Sequence, residues 1–167
     1  MRIKVLDIIE QTMADGPGLR ISIYCAGCAH HCPGCHNPQS WNFGGGRWMD
    51  VDDLMDIIKA DTISNVSFSG GDPFYQVEAF TELARRIKDE TRKTIWCWTG
   101  FTIEEIRSDD RLSMLLPYLD ALVDGPYVAS LRDTSLLFRG SSNQRIIYLT
   151  PPPDDYIPGT VPMLAFR

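Results

Sequence analysis

Residues 25–35 read CAGCAHHCPGC, four cysteines and two histidines in eleven positions. So many soft ligands in one segment demand a loop, because thiolates gathered around one inorganic centre need a chain that winds. The cysteines fall at 25, 28, 32 and 35, a C-x2-C-x3-C-x2-C run. A zinc ribbon holds its metal between two C-x2-C knuckles roughly 12 to 20 residues apart, so that two turns face each other. Here the knuckles are three residues apart, which disfavours zinc. An iron–sulfur cluster suits one compact loop, since its irons lie at separate corners and accept thiolates from a single winding segment. Two forms stay open on spacing. Four cysteines, with Cys25 as the fourth ligand, would close the cluster and make a non-catalytic electron carrier. Three would leave one iron open for a substrate.

The remaining composition permits an ordinary globular core around such a loop. A chain of 167 residues fits one domain spanning 1–167, and a domain of that size buries about 70% of its unfolded surface without staples. The net charge of −6 argues against a nucleic-acid groove or an anionic membrane surface. No stretch approaches the roughly 20 apolar residues of a membrane span, and the first residues, MRIKVLDIIEQTM, lack the apolar core of a signal peptide. A cytoplasmic location is expected. In that reducing setting five cysteines, an odd number, read as metal binding or catalysis and not as a disulfide framework.

Segments 2–10 and 19–25 are rich in β-branched residues and read as strands, with the Gly/Pro turn MADGPG between them. The cluster loop, 25–47, has too much Gly, Pro and Asn for regular structure. Asp50 is a candidate N-cap for a helix over 51–60, and the acidic run DVDD suits that helix start. Strand 65–69, a helix over 75–90, strand 94–98, helical pieces within 102–119, strand 120–124 and strand 144–149 follow. Strands alternating with helices indicate a parallel sheet of βα units. The units are too few for a closed barrel of about 250 residues, so an α/β fold with a partial, open barrel or a small open sheet is expected. The tail, 150–167, is Pro-rich and expected to be extended.

SFSGGDP, residues 67–73, stands at the C-terminal end of a predicted parallel strand, where βα folds bind ligands. Two adjacent glycines let backbone approach a ligand closely. This segment, DGPGLR (15–20), GCAHHCPGCHNPQSW (27–41), WTGF (98–101), LVDGPY (122–127) and FRGSSNQRII (138–147) are spread from residue 15 to residue 147, along most of the chain. Together they resemble the glycyl-radical activases of the radical S-adenosylmethionine (SAM) superfamily. The last two are most similar to the activases of anaerobic ribonucleoside-triphosphate reductase. DGPGLR is shared with other members, including activases of pyruvate formate-lyase.

The resemblance implies a fold and a chemistry. The fold would be a partial, open (β/α) barrel of the radical SAM type. Cys28, Cys32 and Cys35 would hold a 4Fe–4S cluster whose fourth iron is chelated by SAM. Gly34 and His36, flanking Cys35, would line the SAM pocket, and Gly70, Gly71 and Asp72 would meet the methionyl ammonium. Many radical SAM enzymes carry Glu at the third of those positions; this chain has Asp72. The implied reaction is reductive cleavage of SAM and removal of a hydrogen atom from a glycine Cα of the reductase large subunit. A flavodoxin or ferredoxin would supply the electron.

Other residues have plainer readings. Cys97, in TIWCW, is expected in the core, and Cys25 at a strand end is expected to be a bystander. His30 and His31 read as loop hydrogen-bonding groups near the cluster. Trp98 and Thr99 are candidates to face the adenine, and Asp124 reads as a turn residue or a ligand-facing carboxylate. Arg139, Asn143 and Arg145 offer donors for the peptide carbonyls of an extended substrate segment.

Overall fold

The computed structural model describes residues 1–151 and the strand Val161–Pro162. Among these, eight strands form one sheet: β1 (Arg2–Thr12), β2 (Arg20–Cys25), β3 (Arg47–Asp50), β4 (Asn65–Gly70), β5 (Ile95–Trp98), β6 (Ala121–Asp124), β7 (Arg145–Tyr148) and β8 (Val161–Pro162). Their order is β3-β1-β2-β4-β5-β6-β7-β8, and the two ends do not meet. Strands β2, β4, β5 and β6 are mutually parallel. The expected open, partial barrel with a parallel centre is therefore what the chain forms.

The flanks differ from a simple βα series. β1 pairs antiparallel with both β2 and β3, and β7 runs antiparallel to β6. β3 begins at the end of a stretch read as irregular. Its neighbours Gly44, Gly45 and Gly46 mask a short edge strand that owes its form to pairing with β1. β7 reverses because no long helix separates it from β6, so the chain need not cross over the sheet. That return keeps the 125–144 connection at the end where the parallel strands finish. The expectation for the tail falls almost wholly outside the described residues.

Helices α1 (Val51–Ala60), α2 (Val77–Glu90), α3 (Ile103–Arg107) and α4 (Asp110–Ser113) pack on one face of the sheet. The apolar stripe of α2, Val77, Phe80, Leu83, Ala84 and Ile87, is buried as its spacing predicts. Asp50 occupies the N-cap position of α1 with an extended backbone but makes no side-chain cap bond. Strand alternation sends Ile21, Ile23, Val66, Phe68, Ile95 and Cys97 toward the helices. Each such fully buried side chain contributes about 1.5–3 kcal/mol.

The opposite face is different in kind. It carries Trp96, Val123, Ile146 and Tyr148 on one side, and Arg20 and Ser67 on the other. Arg20 is almost fully buried; its guanidinium donates to Ser67 Oγ at 2.8 Å and to the carbonyls of Val66 at 2.8 Å and Pro17 at 3.1 Å. Ser67 Oγ in turn donates to the Asp15 carbonyl at 2.5 Å. The 13–19 turn is thus drawn over the sheet, because a buried guanidinium must find acceptors for its fork of donors.

A charged tie closes the β6–β7 edge. Asp124 is fully buried and accepts the Ile103 N–H at 2.8 Å at the start of α3. Arg145 bridges Asp124 at 2.6 Å and Glu104 at 2.7 Å. Hydrogen bonds from Arg145 hold the Glu104 carboxyl near 2, below its ordinary 4.5. The stabilisation is therefore complete above about 4.5 and disappears as pH falls toward about 2. Glu104 is 57% exposed, so solvent screening keeps the effect within about 1 kcal/mol. Glu104→Gln is expected to lower stability by up to that amount at pH 7, and the gap to the parent should close as chemical denaturation is repeated from pH 5 to pH 2.5.

Candidate functional site

The cluster loop is fastened from three directions. Ala26 N–H donates to the Lys4 carbonyl at 3.0 Å, and Gly27 N–H to the Ser40 carbonyl at 2.8 Å. The Gln76 amide donates to the carbonyls of Lys4 at 3.1 Å and Ala26 at 3.0 Å. Beyond β4 the main chain keeps bonding to the loop, with Gly71 N–H on the Cys25 carbonyl at 2.8 Å and Asp72 N–H on the Gly27 carbonyl at 2.9 Å. That approach explains the glycine pair. Gly70 has φ +104°, and a Cβ there would lie 2.3 Å from the Cys25 nitrogen; at Gly71 it would lie 2.5 Å from the Gly27 oxygen.

Above this junction is a cavity of about 400 Å³. Cys28, Cys32 and Cys35 line it, together with Gly70 and Gly71 at the end of β4, Trp98, Thr99 and Gly100 at the end of β5, and Tyr127, Phe138 and Arg139 from the β6–β7 connection. Burial pushes the Cys28 thiol up to about 11, while the His30 N–H pulls it down. Asn37 N–H donates to Cys35 Sγ at 3.4 Å. Cys25 is fully buried on the helical side, packed in the core and absent from the cavity lining. Burial holds its thiol well above the usual range. Among the described residues, no three His, Cys, Asp or Glu side chains converge tightly enough for one metal ion. Three thiols spread around one cavity suit a cubane, which takes its ligands at separate corners. Amide donors to sulfur are among the features that set such a cluster's potential.

The comparisons agree. Residues 14–147 match a family described as a 4Fe-4S single cluster domain. An anaerobic ribonucleoside-triphosphate reductase-activating protein from Vibrio cholerae is 38% identical over 143 residues, 80% of this chain and 90% of that protein. Its counterpart in Escherichia coli K12 is 36% identical over 148 residues, 82% and 93% of the two chains. That of enterobacteria phage T4 is 33% identical over 138 residues, 79% and 85%. The chain belongs to the family of anaerobic ribonucleoside-triphosphate reductase-activating proteins. In fold it is similar to the crystal structure of QueE from Escherichia coli, at TM-score 0.50 and 18% identity, over 61% of this chain and 54% of that one.

Within this activating-protein fold the other expected residues find distinct places. His36 lines the cavity and its ring lies 4.9 Å from that of Tyr127. Gly34 lies outside the lining, in the turn where Cys35 N–H bonds the Cys32 carbonyl at 3.0 Å. Asp72 is 1% exposed and also outside the lining. Trp98 and Thr99 do line it, and Cys97 is in the core. His31 packs on Trp41 with ring centres 4.8 Å apart. Asp124 is neither a turn residue nor ligand-facing; it anchors α3 and Arg145. Arg145 is consequently committed to carboxylates, and the Asn143 amide donates to the Pro126 carbonyl at 2.7 Å. Of the three expected donors, Arg139 remains at the cavity, its Nε buried without a hydrogen-bond partner.

Sequence reasoning read Asp15 as part of a turn, with a partner-binding role only by resemblance, and gave no role to Tyr127 or Gln144; all three line the cavity. Each falls within or beside a motif read from the chain, but only the folded loops reveal which side chains turn inward. Asp15 accepts the Tyr24 hydroxyl, and the Gln144 amide receives Gly140 N–H at 2.9 Å and donates to the Gly125 carbonyl at 3.1 Å. Phe138, at φ +59°, presents its carbonyl to Trp98 Nε1 at 2.9 Å.

Gly71→Ala should force the Gly27 carbonyl away. The expected result is about 1–3 kcal/mol of lost stability, the usual cost of overpacking, together with lower iron content per chain after anaerobic reconstitution.

Proposed function

We propose that this chain is a radical SAM activase that holds a 4Fe–4S cluster on Cys28, Cys32 and Cys35 and makes a glycyl radical on the large subunit of anaerobic ribonucleoside-triphosphate reductase. The observation that carries this reading is the division of the cysteines. Three face one cavity, and the fourth thiol of the run is sealed on the other face of the sheet. A closed four-thiolate carrier would need Cys25 to leave the apolar core.

When bound, the reduced cluster and SAM supply a 5′-deoxyadenosyl radical able to take a hydrogen atom from a glycine Cα. The protein's share is placement and shielding. The Gly70 and Gly71 backbone offers carbonyls to the methionyl ammonium, with His36 beside Cys35 lining the same pocket. Trp98 and Phe138 give the cavity an apolar side that excludes water from a reactive ligand. No side chain is needed as a general base, because a hydrogen atom moves, not a proton. Glycine suits as the target: it lacks a Cβ, so its Cα is accessible, and the flanking peptide groups delocalise the unpaired electron.

The target segment enters extended, between the loops after β5 and β6, where Arg139 offers a free donor to a peptide carbonyl. The electron donor in this reading is a flavodoxin or ferredoxin.

The test is an anaerobic reconstitution followed by reductant and SAM. 5′-Deoxyadenosine should form, and with the reductase large subunit present a glycyl radical should appear by electron paramagnetic resonance. Absence of both would sink the proposal. Cys25→Ala should keep a full complement of iron and sulfide, whereas Cys32→Ala should lose it; loss in Cys25→Ala would favour the electron carrier.

A further inference from the structure

Asp72 stands where the related enzymes' pattern calls for a ligand-contacting acid, yet both of its carboxylate oxygens are already engaged within the protein. Oδ1 accepts the Phe74 N–H at 2.9 Å. Oδ2 accepts Thr99 Oγ1 at 2.8 Å, Gly100 N–H at 2.9 Å and His30 Nε2 at 2.8 Å. Of the two lone pairs on each carboxylate oxygen, those of Oδ2 are taken up by three donors, and Oδ1 is engaged by the Phe74 N–H. The residue is 1% exposed and does not line the cavity, so its carboxylate is shut off from a ligand held there.

Three of the four donors come from other segments. Thr99 and Gly100 follow β5; His30 lies between the cluster ligands Cys28 and Cys32. The His30 ring is confined as well. It meets Phe101 edge-on at 4.5 Å and Tyr75 at 5.5 Å. A Cβ on Gly100 would come within 2.5 Å of the ring. The short arm of aspartate is what permits this. A bond from a side chain to the N–H two residues on is an Asx-turn contact, made by Asp or Asn; a glutamate at position 72 would overshoot it.

Resting on the functional reading above, we propose that Asp72 is a positioning residue that acts through His30 to set the segment between Cys28 and Cys32, and that it makes no contact with SAM. Asp72 thereby joins the β4 end, the β5 end and the cluster loop at one buried point. Such outer partners of ligand-bearing segments typically change affinity or activity by about 10–100-fold when removed.

The experiment uses the full chain with its cluster reconstituted, as Asp72→Asn, His30→Phe and the double variant. His30→Phe keeps the aromatic packing and leaves Asp72 its other three donors. Both single variants should alter the electron paramagnetic resonance spectrum of the reduced cluster before SAM is added. Each should also slow SAM cleavage per cluster by about 10-fold or more, and the double variant should be no slower than the worse single. The proposal is overturned if Asp72→Asn leaves the SAM-free spectrum intact and only weakens SAM binding, or if the two effects multiply. It is equally overturned if only cluster occupancy falls, with per-cluster spectrum and rate unchanged. Should Asp72→Asn fail to take up a cluster, His30→Phe alone decides through its SAM-free spectrum. A parent protein that forms no 5′-deoxyadenosine would defeat the functional reading while leaving the SAM-free comparison interpretable.

Discussion

The structure turns on one close backbone contact, that between the end of β4 and the start of the cluster loop. Two main-chain bonds continue the β2–β4 ladder past Gly70, onto the carbonyls of Cys25 and Gly27. This makes the loop's first residues an extension of the sheet. Cys28 inherits a fixed starting point, and the glycines that allow the contact also leave bare backbone at the cavity. The same residues therefore permit the packing and keep side chains out of this part of the cavity, since a Cβ at either would collide with the loop.

The sheet's two faces divide the labour. Alternation places Ile23 and Cys25 with the helices and Ser22 and Tyr24 opposite, so the thiol at 25 is turned away before the loop begins. One residue of register would reverse this assignment. The register is pinned by the parallel pairing of Cys25 with Gly70 and by buried Arg20 at the other end of β2. Thus strand geometry sets Cys25 apart from the three cysteines at the cavity, a division that cysteine spacing alone does not reveal.

Much of this could be read in the chain itself. The amphipathic stripe of α2 and the alternating strands carry strong periodic signals, and the C-x3-C-x2-C subset with the later Gly-Gly marked the cavity. What escaped was decided by tertiary contact. β3 has no local strand signal beyond its pairing with β1, and β7 is antiparallel because its connection returns without a crossover. Arg145 looked like a free donor in RGSSNQR, but Asp124 and Glu104, 21 and 41 residues away in sequence, claim it. Charge partners at such separations leave no trace in local composition.

The commitment of Arg145 has a structural consequence for the β6–β7 side of the cavity. By joining β6, β7 and the start of α3, the tie secures both ends of the 125–144 connection while leaving its middle unpaired with any strand. Gln144 then gathers that loop through Gly125, Gly140 and Ser141, and Trp98 grips it at Phe138. A loop anchored by side chains in this way can present Arg139 at the rim without adding a strand that would close the barrel. An open edge of this kind suits a macromolecular target, because a main chain cannot be threaded into a closed barrel but can be laid across an incomplete one.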